Sequence, residues 1–135
     1  MRYVDSNIII HHLVKDGCVG PSAQKYLESV AKGDESACSS TYMVIEVYAF
    51  LKGMKYSEQK ISSILDSVAS YGIVLLPLES EIVLKSLPMM KGGWRLGDAI
   101  HYNTMLENDI TEIVSDDRHF DDVEKISRVD VSTLV

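Results

Sequence analysis

Short apolar runs and stretches of helical period alternate along the whole chain. The first segment, RYVD at 2–5, reads as a short buried strand that ends on an acid, Asp5. The next nine residues, SNIIIHHLV, admit two readings: the β-branched isoleucines favour a strand, whereas Ser6 or Asn7 is a good helix N-cap. Gly17, Gly20 and Pro21 mark a break. Over residues 22–32, Ala23, Tyr26, Leu27 and Val30 recur at helical spacing, and Gly33 ends the pattern. SACSS at 36–40 is a weak strand of small residues. Residues 41–52 read as a strongly apolar helix with Glu46 as its one acid. A Ser57 cap opens a helix over 57–70, with Ile61, Ile64, Leu65 and Val68 on one face and Gly72 as its stop.

IVLLP at 73–77 is a continuous apolar run, as expected of a strand covered on both faces. A short helix over 79–87 stops at Pro88, and KGGWRLG (91–97) reads as a loop. A helix then runs from Asp98 to about Asn108, EIVS at 112–115 is a strand, and ISRVDVS at 126–132 is another. This alternation predicts an α/β domain built on a mostly parallel sheet, with right-handed crossovers.

Composition narrows the class. The 135 residues suit a single domain, 1–135, with one sizeable core; 46% are hydrophobic and 24% charged, the balance of a soluble globular protein. The apolar runs are too short to span a bilayer, and MRYVDSNIII lacks the pattern of a signal peptide. A cytoplasmic location is expected. Cys18 and Cys38 form no CxxC motif, so reduced thiols are expected. A net charge of −7 opposes non-specific adhesion to nucleic acid or anionic membrane. It does not exclude an enzyme acting on nucleic acid, because clustered acids would supply much of that charge and a cation would offset it locally. Lys91 with Arg95, or Lys52 with Lys55, offers a local basic patch.

The informative residues are Asp5, Glu46, Asp98 and the Asp116/Asp117 pair, each beside an apolar run. Burying a carboxylate costs on the order of several kcal/mol unless a cation or hydrogen bonds compensate. Asp5 closes the first strand, and Asp116 and Asp117 follow a later one. In a parallel sheet both places open at the carboxyl edge, where such folds bind ligands. Asp98 and Glu46 sit in early turns of helices that can aim at the same edge. Four carboxylates meeting there make an oxygen-only pocket suited to Mg²⁺ or Mn²⁺. The absence of His and Cys from these positions opposes zinc. Each acid also has a bland reading. Asp5 serves as a helix cap, Asp98 offsets a macrodipole and the Asp pair occupies a turn. Glu46 is the hardest to explain in that way.

In their order, these residues resemble the PIN-domain nucleases, most closely the small VapC-like toxins, over essentially the full length. The resemblance rests on YVDSNIII, IEVYAFL, LGDAIHYNTML and VSDDRHFDDV. Asp5, Ser6 and Asn7 match the first motif, Glu46 the second, and Asp98 with Ala99 the third. Ser115, Asp117 and Phe120 match the last in register, which favours Asp117 over Asp116 as the fourth acid; His119 stands where an acid is frequent.

The resemblance implies a three-layer α/β/α sandwich and a Mg²⁺- or Mn²⁺-dependent endoribonuclease. It also implies a type II toxin, homodimeric and held by a cognate antitoxin. The catalytic and metal-binding set it implies is Asp5, Glu46, Asp98 and Asp117. Ser6, Asn7, Ser115, Asp116 and Arg95 are candidates for orienting carboxylates or touching substrate. Trp94 is a candidate for base stacking. His11, His12 and His101 are read as structural. The amphipathic helices at 22–32 and 57–70 are candidate partner surfaces as well as core.

Two further functions remain open: a PIN-type nuclease of ribosomal-RNA processing, and a non-catalytic PIN-fold scaffold. An aspartyl-phosphate phosphatase fits poorly, because Asn7 stands where its second Asp is needed. A phospho-receiver fits poorly too, because Pro77 and Leu78 stand where its Asp is needed.

Overall fold

The computed structural model describes residues 1–15 and 17–135. Five strands, β1 (Arg2–Val4), β2 (Ala37–Ser40), β3 (Val74–Leu76), β4 (Glu112–Val114) and β5 (Ser127–Val129), form one sheet in the order β3-β2-β1-β4-β5. Every pairing is parallel. The helices are α1 (Ser6–Val14), α2 (Gly20–Ala31), α3 (Tyr42–Gly53), α4 (Glu58–Ala69), α5 (Ser80–Ser86) and α6 (Leu96–Glu107), with 3-10 turns at Leu87–Gly92, Arg118–Asp122 and Val131–Leu134.

Strand residues alternate between two cores, as the period of two demands. Val4, Ala37 and Val114 face a core filled by Ile8, Ile9, Tyr26 and Leu51 from helices α1–α3. Tyr3, Cys38 and Ile113 face the other core, which holds Met105 of α6 and Phe120. Helices therefore cover both faces, which gives the α/β/α arrangement expected of this sequence.

Several local expectations change. SNIIIHHLV is the helix α1, because a parallel strand must leave the sheet through a crossover. The 73–77 run is not a strand covered on both faces. It is an edge strand, with Val74 48% and Leu75 38% exposed. The 126–132 run keeps only three residues of strand, because Asp130 caps the next turn by accepting from the Ser132 amide at 2.9 Å. Pro88 does not stop the chain's helical path. It sits at the start of the Leu87–Gly92 turn, where a missing N–H costs nothing. Helix α6 begins two residues before Asp98. The stripes on α2 and α4 are used internally: Ala23, Tyr26, Leu27, Val30, Ile61 and Val68 are all buried in the first core.

Candidate active site

The strand order reverses at β1, whose neighbours β2 and β4 lead in opposite directions. The crevice beyond the carboxyl ends of β1 and β4 is the topological switch point, the usual ligand site of an open parallel sheet. Asp5 directly follows β1, and Ser115, Asp116 and Asp117 follow β4. A crossover helix starts at this same edge. Glu46 therefore lies one turn into α3, and Asp98 in the first turn of α6. The elements that carry the four acids all start or end at one rim.

Asp5 is 5% exposed. It occupies the N-cap position of α1; the Asn7 amide favours its charged form, but no side-chain capping bond of ordinary geometry forms, so capping alone does not explain it. Its carboxylate instead accepts from Ser115 Oγ at 2.6 Å and from Ser6 Oγ at 3.4 Å. Ser115 Oγ also accepts from Asn7 Nδ2 (3.3 Å) and from the Asp117 amide (2.9 Å). Ser6 and Ser115 thus hold the Asp5 carboxylate, and Asn7 holds Ser115. Burial raises the Asp5 pKa, and Glu46 adds to the rise. The charge of His101 and the Ser115 hydrogen bond oppose it.

Asp98 is pushed up to about 6, first by burial and then by the charges of Asp117 and Asp5. His101 and Arg95 act in the opposite sense. Arg95, exposed at the N-cap of α6, is therefore within electrostatic reach of the acids.

Asp116 and Asp117 part company. Asp116 is 51% exposed and pairs with His11 Nε2 at 3.1 Å. Asp117 is 22% exposed and is the member of the pair whose charge Asp98 feels. Asp117 also has its turn role, accepting from the His119 amide at 2.9 Å and pairing with His119 Nδ1 at 2.7 Å. Arg128 supports this loop by donating to the Ser115 carbonyl (3.0 Å) and to Asp121 (2.7 Å).

Glu46 meets a partner the sequence reading set aside. Its Oε1 is hydrogen-bonded to Nε2 of His101, a fully buried residue whose Nδ1 meets the Tyr3 hydroxyl at 2.5 Å. Burial lowers the His101 pKa, but the Glu46 hydrogen bond and the charges of Glu46, Asp5 and Asp98 together outweigh it and leave it raised. The clue available beforehand was the spacing of His101, one helical turn from Asp98.

Gly97 leaves room for Glu46. A Cβ at this position would stand 2.9 Å from Glu46 Oε2, so the end of the Glu46 side chain would have to shift. Gly97→Ala gains about 1 kcal/mol of helix propensity, so it should stay folded. By displacing Glu46, it should slow any cleavage that depends on this carboxylate on the order of 10²-fold, as read by turnover beside a melting curve. Wild-type turnover would show that Glu46 is free to move.

The donor set fits a hard divalent cation: three aspartates and one glutamate, with no sulfur. Among the described residues, no group of three or more His, Cys, Asp or Glu side chains is already drawn together in a coordinating arrangement.

Burial of Asp98, with the charges of Asp117 and Asp5 behind it, predicts a pH dependence for the chelator-treated protein. The Asp98 carboxyl has a folded pKa of about 6 against the ordinary 3.8 of an aspartate, so the folded state binds the proton more tightly. Its contribution is complete below pH ~4 and is lost as pH rises through about 6. Half-exposure limits the loss to on the order of 1–2 kcal/mol. Melting temperature should fall across that window and do so less in Asp98→Asn; an identical pH profile in the variant would contradict the assignment.

Beside Asp98 lies a cleft of about 460 Å³, lined in part by Trp94, Arg95, Tyr102, His119 and Phe120. Trp94 and Tyr102 pack with ring centroids 5.2 Å apart at 42°. No helix among the described residues is long and apolar enough to cross a membrane.

An all-parallel α/β sheet with acids gathered at its switch point defines the class of this protein. The PIN domain family matches residues 2–126, and the chain belongs to that family. VapBC2 from Rickettsia felis, crystallised with a DNA fragment from its promoter, is similar in fold. It is 15% identical, with a TM-score of 0.70 over 96% of this chain and 98% of that one. A toxin–antitoxin complex from Klebsiella pneumoniae is similar as well: 18% identical, TM-score 0.66, covering 97% and 98%. No curated protein matches the chain at a significant level.

Proposed function

We propose that this PIN domain is a Mg²⁺- or Mn²⁺-dependent endoribonuclease and the toxin of a type II toxin–antitoxin pair. What supports the nuclease reading is the placement of the acids: Asp5 follows β1, Asp117 follows β4, and Asp98 and Glu46 lie in early turns of α6 and α3, at the rim where the strand order reverses. Asp5, Asp98 and Asp117 would hold the cation, with Glu46 completing the set. When bound, the ion supplies a water of lowered pKa and neutralises charge developing on the phosphodiester. Ser115 and Ser6 hold the Asp5 carboxylate in place for this. Arg95, exposed beside the acids, attracts the RNA phosphate against the net charge of the chain. The toxin reading rests on the fold shared with proteins crystallised as VapBC2 and as a toxin–antitoxin complex. An antitoxin would find exposed apolar surface at Leu84, Leu87 and Met90.

The test is cleavage of a defined panel of RNAs with Mn²⁺ and with excess chelator. Cleavage that appears only with the cation supports the reading; undiminished cleavage in chelator overturns it.

The cleft makes a separate prediction. A base stacked on an aromatic contributes about 1–3 kcal/mol, so Trp94→Ala should raise the KM for RNA by about tenfold or more while leaving cation affinity unchanged. An unchanged KM would remove Trp94 from the substrate path.

A further inference from the structure

His101 does more than fill the core. It lies on α6 one turn after Asp98, with no exposed surface. Both of its ring nitrogens are engaged, Nε2 with Glu46 Oε1 and Nδ1 with the Tyr3 hydroxyl. Tyr3 is itself fixed, because the Ser40 amide donates to its phenolic oxygen at 3.1 Å. The rings of Tyr3 and Tyr42 wall the imidazole, with centroids at 5.5 Å and 6.0 Å. One side chain therefore ties β1 and α6 to the acid on α3, and an imidazole bonded at both nitrogens has one orientation open to it.

Glu46 is fixed in turn. Its Oε1 is taken by the imidazole. Its Oε2 lies against Gly97, the residue before Asp98, at the spot a Cβ would crowd. A carboxylate left to itself on an exposed helix turn would sample several rotamers; this one is held through Oε1, while Oε2 accepts no hydrogen bond among the described residues.

We infer that His101, steadied by Tyr3, is a positioning residue that presents one oxygen of Glu46, Oε2, to the cation beside Asp98. The inference rests on the proposed reading that the acids hold Mg²⁺ or Mn²⁺. Groups that orient a ligating carboxylate through a hydrogen bond typically change metal affinity about 10–100-fold when removed.

The test is Mn²⁺ binding by the full chain, followed through the paramagnetic resonance signal of free Mn²⁺, with circular dichroism as the check on folding. His101→Leu removes the donor at similar volume and should weaken Mn²⁺ binding about 10–100-fold. His101→Gln restores an amide donor and should recover part of that loss, which a purely packing role would not produce. Tyr3→Phe keeps the ring, frees the imidazole and should weaken binding a few-fold; it decides the matter if His101→Leu does not fold. Wild-type affinity in the folded variants would overturn the positioning role while leaving the metal site intact. Failure of the wild-type chain to bind Mn²⁺ would instead overturn the metal site itself and the inference with it.

Discussion

Asp5→Asn is expected to abolish cation-dependent RNA cleavage without unfolding the protein. Asp5 is the most buried of the four acids and is held by Ser115 and Ser6. An asparagine keeps the shape and one acceptor oxygen but removes the charge. The electrostatic work of a bound cation is worth several kcal/mol, and about 1.4 kcal/mol is one decade of rate. The loss should therefore reach at least about 10³-fold. The effect on stability has the opposite sign. Burial and the neighbouring Glu46 charge already disfavour the ionised carboxylate, so neutralising it relieves the metal-free fold. The melting temperature in chelator should hold or rise. A rate measured under single-turnover conditions that matched wild type would remove Asp5 from the site; a large fall in melting temperature would make its role structural.

Phe120→Ala carries the largest expected effect on stability. Phe120 is 1% exposed and packs in the second core with Tyr3, Met105 and Ile113. Deleting a buried aromatic of this kind costs about 3–5 kcal/mol, a fall in melting temperature on the order of 10–20 °C for a chain of this size. The site is affected as well. The Phe120 amide closes the turn onto the Asp117 carbonyl at 3.2 Å, so the anchor of that turn is also what places Asp117. The variant should thus lose both thermal stability and cation affinity. A loss below about 1 kcal/mol in chemical denaturation would mean the side chain is not the anchor described.

Much of this was legible in the residues. Asp5 at the end of an apolar triplet, and Asp117 in register with Ser115 and Phe120, mark the rim because a parallel sheet puts strand ends together. Glu46 was suspicious for a sound reason, since a lone acid in an apolar helix needs a partner. What stayed hidden was that partner. Glu46 and His101 are 55 residues apart, and Tyr3 and His101 are 98 apart, so no local pattern links them. The status of β3 was hidden for a related reason. An apolar run shows that a strand is apolar, but its place at the edge is set by the order of crossovers. The two stripes on α2 and α4 illustrate the same limit, since periodicity shows that a face is apolar and not what covers it. The register favours Asp117 over Asp116, and the two differ in the structure as well: Asp116 is the more exposed and pairs with His11, whereas Asp117 is the one whose charge reaches Asp98.

The central claim is that these acids form one cation centre. Its most direct test is a Mn²⁺ titration of the wild-type chain against Asp98→Asn, read by the resonance signal of free Mn²⁺. Wild type should bind saturably, and binding should weaken by at least about tenfold in the variant, since one charged ligand is lost. Absence of binding by wild type, or equal affinity in a folded Asp98→Asn, would contradict it.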